Sequence, residues 1–292
     1  MNNKLNELYE MCFNKKLNNL SDLSQYINIK NDTILHCKKC GKIMNQKYIN
    51  ANKIQGRCSF CDTKTTMSNL SRDYDIEKAV DVIYFIYYFS LNCNFDIIQR
   101  LTRCTKYAIN SFQTFILNKI NGYFRNNKYK IGGKDMIVEV DESFLGKRKY
   151  NVGRIQNQKI ILGGICRSTK QRFMQIIEKR TKNIIGKAIE DNIQDGTIIY
   201  TDQWSSYLYY FMNNQKYKHN FVNHKYNFVD PLDGTHTQNI ESMWSSFKKF
   251  KRRKQYFKQN KLDLYISEYL IRNIYKDDDL GLFIFLIKLV FE

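Results

Sequence analysis

The chain has one proline in 292 residues, which argues against long disordered stretches. Long apolar runs are missing too. The most apolar segment, "LGLFIFLIKLVFE" at 280–292, is too short to cross a bilayer and is interrupted by Lys288. It is expected to be a buried helix or strand. No secretory signal is legible in the polar "MNNKLNELYEMCF", where Leu5, Leu8, Tyr9 and Cys12 recur at helical spacing. An intracellular, reducing setting is the expectation, so the eight cysteines are not a disulfide framework. Acidic residues are scarce: 28 Asp and Glu stand against 47 Lys and Arg, a formal charge of +19. A chain this basic usually meets a polyanion, most often nucleic acid. The scarcity is also local, with no acid between Ile97 and Lys134 or between Ser242 and Lys261. Both stretches are rich in Lys and Arg.

What the chain does have is an apolar share of 43%, enough for real cores, and a length that suggests two or three units. The heavy use of Asn, Lys, Ile and Tyr reads as the bias of an AT-rich genome and says little about function. Four cysteines form "CKKC" (Cys37, Cys40) and "CSFC" (Cys58, Cys61). Each knuckle turn brings two sulfurs to one side of an ion, and tetrahedral Zn²⁺ takes four thiolates. The spacing is that of a zinc ribbon, with strands expected in "YINANKIQGRC". Four thiolates leave no open coordination position, so the one Zn²⁺ is expected to be structural. Cys12, Cys93, Cys104 and Cys166 are scattered and read as core packing.

Residues 75–125 read as helical. "DIEKAVDVIYFIYYFS" is apolar nearly all round, as a central buried helix would be. "FDIIQRL", "TRCT" and "KYAINSFQTFILNKI" then fit a helix-turn-helix, with Lys106, Tyr107, Asn110 and Gln113 as candidate DNA contacts on the second helix. "NNKYKIGGK" (126–134) reads as a basic, Gly-containing linker. Beyond it "MIVEVDESFLG" alternates in period two, with Val138 and Val140 on one face and Glu139 and Asp141 on the other. "KIILGGICR" and "RFMQIIEKR" read as strands, "KNIIGKAIEDNI" as a helix, "GTIIYTDQ" as a buried strand and "SSYLYYFMNN" as a helix. This β-β-β-α-β-α order suits an α/β fold, a mixed sheet covered by helices.

Asp141 is expected to end the first of these strands and Asp202 the fourth, side by side. A third acid comes from "DGTHTQNIESMWSSFKKFKRRK", where Thr235 and Gln238 could form a capping box that starts a helix. On that helix Ile240, Met243, Trp244, Phe247 and Phe250 make a packed face, while Glu241, Ser245, Lys248 and Arg252 share a neighbouring, more open one. Glu241 would face the aspartates, and Lys248 would reach bound phosphate. Cutting a phosphodiester in line needs one oxygen activated and another stabilised, which two Mg²⁺ (or Mn²⁺) ions on hard carboxylates can do. Singly, each acid has a bland reading: Asp202 a helix cap, Glu241 a solvated acid, Asp141 a strand-end acid. Together, flanked by basic stretches, they point to a metal site. The run "KKFKRRK" could be a nuclear import signal, but it continues the helix of Glu241, and Lys249, Lys251, Arg252 and Arg253 read as DNA-backbone contacts. His219, His224 and His236 could be ligands or neutral hydrogen-bonding groups near the site.

The motifs "VEVDESFLGKRKYNVGR", "LGGICR", "YTDQWSSY", "FVNHKYNFVDP", "GTHTQNIESMWSSFKK" and "YISEYLIRNIY" closely resemble those of DDE transposases of the Merlin type and their bacterial insertion-sequence relatives. The resemblance runs from about Met136 to Tyr275, and a four-cysteine ribbon is typical of the family. It implies an RNase H-like catalytic domain that cuts and joins DNA at transposon ends, with Asp141, Asp202 and Glu241 as metal ligands and Lys248 as the basic residue following the third acid. Some bacterial relatives carry Asn as the third residue, which keeps Asn239 in view. The expected organisation is a helical segment at 1–30, the ribbon at 31–66, a helix-turn-helix-like region at 70–125, the RNase H-like domain at 135–276 and an apolar segment at 277–292. Implied partners are terminal inverted repeats, target DNA and a second copy of the chain to pair two ends, with no membrane. The "HTQNIES" form resembles the eukaryotic branch, which would place the protein in the nucleus; in a bacterial host it would be cytoplasmic. The alternatives are a domesticated DNA-binding protein that no longer transposes, and a stand-alone nuclease or resolvase on the same fold.

Overall fold

A computed structural model of the chain describes residues 2–16, 26, 37, 39–40, 42, 45–50, 53–68, 79–102, 104–127, 129–145, 158–222, 237–254 and 259–291. The helices are α1 (Asn2–Phe13), α2 (Ala79–Ser90), α3 (Phe95–Thr102), α4 (Lys106–Asn126), α5 (Lys182–Asn192), α6 (Ser205–Phe211), α7 (Gln238–Arg253), α8 (Leu262–Ile274) and α9 (Asp279–Phe291). The strands are β1 (Asn45–Asn50), β2 (Lys53–Arg57), β3 (Lys64–Ser68), β4 (Ile137–Leu145), β5 (Lys159–Cys166), β6 (Arg172–Ile177), β7 (Ile198–Asp202) and β8 (Lys218–Val222). They divide into two compact units, one of residues 1–120 with 275–292 and one of residues 121–274.

The first unit holds an antiparallel β1-β2-β3 sheet and a helical cluster. In the cluster α2 buries almost its whole circumference, as an apolar helix must. Tyr9 of α1 meets Tyr87 of α2 at 5.1 Å and Phe283 of α9 at 5.3 Å between ring centroids. Phe85 of α2 meets Phe112 of α4 at 6.0 Å. The C-terminal apolar segment is therefore a helix with Leu282, Phe283, Leu286 and Ile287 buried. Short polar residues start the two helices read as a helix-turn-helix. Asn94 Oδ1 accepts the Ile97 N–H at 2.9 Å, and Thr105 Oγ1 accepts the Ala108 N–H at 3.2 Å.

The second unit is a five-stranded mixed sheet in the order β6-β5-β4-β7-β8. β4 pairs antiparallel with β5 and parallel with β7, which pairs parallel with β8. Period-two alternation gives each face its own core. Val138, Val140, Leu162 and Phe173 pack under α5 and α6, where Ile185, Ile189, Tyr207 and Phe211 are buried. Leu145, Ile161, Ile165 and Met174 pack under α7 and α8, against Ile240, Met243, Trp244, Phe247, Ile266 and Tyr269. On α8 the fully buried Glu268 accepts from Lys254 at 2.6 Å and from Arg272 at 3.0 Å, tying the residue after α7 to α8. Burial alone would raise the Glu268 carboxyl, but the two cations hold it below its ordinary value.

Four sequence expectations change. The segment 126–134 is no loose linker: Ile131 is fully buried, bridges to Ile193, and donates its N–H to Asn192 at 2.8 Å. Gly133, at φ 143°, donates its N–H to Thr197 Oγ1 at 2.9 Å. Asp141 lies in the middle of β4 rather than at its end, although the pairing with β7 stops just before it. The helix carrying Glu241 starts at Gln238 with Thr237 as the cap residue, without a side-chain cap bond to the helix. The capping box at Thr235 therefore does not start it, and Thr235 itself lies outside the described residues. Finally, β8 has no counterpart in the sequence reading.

Candidate catalytic centre and metal sites

The Cys37, Cys40, Cys58 and Cys61 sulfurs all lie within 4.8 Å of one another. Cys37 Sγ is 3.3 Å from Cys61 Sγ, and Cys40 Sγ is 3.5 Å from Cys58 Sγ. A tetrahedron with metal–sulfur bonds of about 2.3 Å has edges near 3.8 Å, so the four sulfurs fit one Zn²⁺. The Cys37 N–H bonds to the Lys42 carbonyl at 2.8 Å and the Cys58 N–H to the Thr63 carbonyl at 3.0 Å, closing the two knuckles. The hydroxyl of Thr63, 3.1 Å from Cys61 Sγ, leads the effects that lower the Cys61 thiol to about 6, toward the thiolate a metal needs. Among the described residues this is the only group of three or more His, Cys, Asp or Glu with ligand atoms that close together.

The carboxylates are assembled differently. β4 and β7 run parallel with Glu139 opposite Tyr200. Two residues further on, the same register brings Asp141 level with Asp202 on the same face. Burial pushes the Asp141 carboxyl up to about 6, and the charge of Asp202 pushes the same way. Two half-buried carboxylates that repel each other are a fit for a divalent cation, which relieves both penalties. Asp202 Oδ1 accepts the Trp204 N–H at 3.2 Å, and it is Trp204, not Asp202, that stands at the cap of α6.

α7 lies across β4 on the Asp141 side and is fixed by two polar contacts. The buried Glu139 carboxylate accepts from the Ile240 N–H at 2.9 Å, from Asn239 Nδ2 at 2.7 Å and from Arg167 Nε at 2.6 Å. It thereby caps the helix from the strand, doing what the capping box was expected to do. Further along, Trp244 Nε1 donates to Asp141 Oδ2 at 3.0 Å. Glu241 stands between these two contacts in sequence, exposed, one turn before Trp244. Asn239 is held by Glu139 and also accepts from Lys170 Nζ at 3.4 Å. It is a structural partner of the first strand.

The opposite face of β4 carries a network that the sequence did not reveal. Glu142, almost wholly buried, pairs with Arg180 at 3.2 Å. The Arg180 guanidinium lies 3.8 Å from the centroid of the Trp204 ring. Burial pushes Glu142 up to about 7 against the pull of Arg180. Tyr207 is fully buried, and burial together with the Glu142, Asp141 and Asp202 charges raises its hydroxyl well above the ordinary value. Its hydroxyl and Glu142 Oε1 each lack a well-formed hydrogen bond, yet they lie close enough to feel one another.

His219 on β8 is 2.9 Å from Thr201 Oγ1 and stacks on Phe211 at 4.1 Å. Burial lowers it to about 4, so it is a neutral hydrogen-bonding group, and His224 and His236 lie outside the described residues. Lys248, Lys249, Arg252 and Arg253 are exposed on α7 and Lys251 is half-buried. On α4, Lys106, Tyr107 and Asn110 are exposed and Gln113 is half-buried. A cavity of about 430 Å³ opens beside β6 and α8, but neither Asp141 nor Asp202 lines it.

Residues 130–273 match the model of the ISXO2-like transposase domain. This part of the chain belongs to that transposase family. Its sheet, with three antiparallel strands followed by two parallel ones, is RNase H-like, as the family resemblance implied. No curated protein matches the sequence. Among solved structures the chain is similar to the catalytic core domain of BIV integrase, at TM-score 0.33 and 11% identity over 47% of this chain and 81% of that one. It is also similar to the HTLV-2 integrase catalytic core domain in complex with magnesium, at TM-score 0.32 and 13% identity over 48% and 84%. A third is the simian T-cell lymphotropic virus intasome in complex with PP2A regulatory subunit B56 gamma, at TM-score 0.33 and 11% identity over 64% and 68%.

Proposed function

We propose that the protein is a DNA transposase that cleaves transposon ends and joins the freed 3′-OH to target DNA at one carboxylate centre. The observation that carries this reading is the placement of Asp141 and Asp202 level on adjacent parallel strands, inside a transposase domain, with the helix of Glu241 fastened to the first of them. Asp141, Asp202 and Glu241 would hold two Mg²⁺ or Mn²⁺ ions, which when bound supply a lowered water pKa and charge neutralisation at the phosphorus. Lys248, exposed two turns beyond Glu241, would meet a phosphate. Lys249, Lys251, Arg252 and Arg253 continue that cationic surface along the DNA backbone. The exposed Lys106, Tyr107 and Asn110 of α4, with Gln113 beside them, would read the transposon end, and two copies would pair two ends. The four-cysteine ribbon would hold a structural Zn²⁺.

The test uses DNA carrying the sequence that flanks the gene, with Mg²⁺, wild type beside Asp202→Asn. Wild type should cleave and join, and Asp202→Asn should bind the DNA but do neither. Cleavage by Asp202→Asn would sink the assignment. Cleavage without joining would indicate a nuclease, and binding alone a domesticated copy.

A further inference from the structure

Trp244 sits on the packed face of α7 and would pass for core, being 5% exposed. Its position on the sheet is more specific than packing requires. Gly163 of β5 pairs directly with Asp141 of β4, so the two share one face of the sheet. A Cβ added at Gly163 would lie 2.6 Å from Trp244 Cη2 and 2.9 Å from Cζ2, closer than atoms can approach. The benzo edge of the indole thus occupies the space a side chain at 163 would fill. The adjoining Nε1–H is directed at the neighbouring strand, 3.0 Å from Asp141 Oδ2. A phenylalanine would keep an aromatic ring in the core but would lack that donor and part of the ring over Gly163.

We propose that Trp244 is a positioning residue for the metal centre: through its indole N–H it fixes the Asp141 carboxylate and couples the first acid to the helix that carries the third. The inference rests on Asp141 being a metal ligand, as read above. A carboxylate on a sheet rotates about two side-chain torsions, and a buried donor on one oxygen selects one setting. The donor here comes from α7, one turn past Glu241. A shift of that helix would therefore disturb both acids together, so the centre assembles as a unit.

The experiment compares wild type, Trp244→Phe and Asp202→Asn in the full-length protein. Mn²⁺ binding is followed by the EPR signal of the free ion, alongside thermal melting and cleavage of the flanking-sequence DNA at limiting Mn²⁺. Trp244→Phe should weaken Mn²⁺ binding and slow cleavage by about tenfold, the usual effect of losing a partner of a metal ligand. Excess Mn²⁺ should recover much of the cleavage. Replacing Trp244 with the benzothienyl analogue, which keeps the ring shape and removes only the N–H, should do the same with an unchanged melting temperature. That variant also serves if Trp244→Phe fails to fold. Wild-type Mn²⁺ affinity and cleavage in the benzothienyl protein would overturn the proposal and leave Trp244 as packing. If Asp202→Asn bound Mn²⁺ and cleaved as wild type does, the reading of the centre would fall first, and this inference with it.

Discussion

The chain carries two candidate metal sites built in opposite ways. The four cysteines come from two short knuckles, and their sulfurs already lie within 4.8 Å of one another. The carboxylates come from the middle of β4, the end of β7 and the open side of α7. Thiols can gather at little electrostatic cost before an ion arrives, because protons still on sulfur spare them mutual repulsion even with Cys61 lowered to about 6. Carboxylates cannot, because burial and mutual repulsion both oppose their charge, as the rise of Asp141 to about 6 records. One site is therefore written in local spacing, the other in sheet register and helix docking. They should fail differently.

The largest effect should come from breaking the local site. Cys58→Ser removes one of four ligands, and structural zinc contributes on the order of 10 kcal/mol to folding of such small modules. The variant should lose its bound zinc by elemental analysis and its hydrogen-exchange protection over β1, β2 and β3, with no change over β4 to β8. A ribbon that kept its protection without zinc would remove the distinction. Next is the distributed site, which should be breakable by a residue that is not one of its ligands. Glu139→Ala takes from half-buried Arg167 its Glu139 partner and leaves α7 uncapped, a change of about 3 kcal/mol in urea melts. Glu139→Gln, which keeps a hydrogen-bonding side chain, should cost less. The smallest effect probes the sheet beside Asp202. The folded value of His219, about 4, lies below the ordinary 6.5, so the folded state binds its proton less readily. Its contribution is intact above pH 6.5 and is lost as the pH falls toward 4, by up to about 3 kcal/mol. His219→Gln should flatten the fall of melting temperature across that window, and an unchanged slope would place the acid sensitivity elsewhere.

The same contrast explains what the sequence made legible. The cysteine spacing predicts the cluster because two turns and one hairpin suffice to close it. Period-two and helical patterns foretell β4 to β7 and the helices α5, α6 and α7, because each of these elements buries one face or both. β8 is missed because "KHNFV" lies at the sheet edge, where Lys218 and Phe221 are exposed and the apolar alternation is weak. The segment 126–134 reads as a linker from its Gly and Lys content, yet Ile131 and Gly133 are tied to the end of α5 and the turn before β7 by hydrogen bonds that composition does not encode. Periodicity puts Glu139 on the polar face with Asp141, but its partners Arg167, Asn239 and Ile240 are remote in the chain and meet only after folding. Trp244 is legible as apolar and illegible as a donor. Glu142 with Arg180 falls in the same class, since their pairing crosses two strands and a turn.

The paired glycines of "LGGIC" lead further. Gly163 lies beneath the indole of Trp244 and Gly164 beneath the ring of Phe173, on opposite faces of one strand. At that point the sheet offers hydrogens on both sides, and aromatic rings lie directly on its backbone. A saturation mutagenesis scan would find both positions intolerant even of alanine, but selection would reject the two for separate reasons. Change at 164 would be felt as lost expression, because its ring belongs to the core under α5 and α6. Change at 163 would leave a share of molecules soluble and inert, because it pushes away the ring that steadies Asp141. Two neighbouring, chemically identical residues would thus separate, in one experiment, the demand for folding from the demand for chemistry.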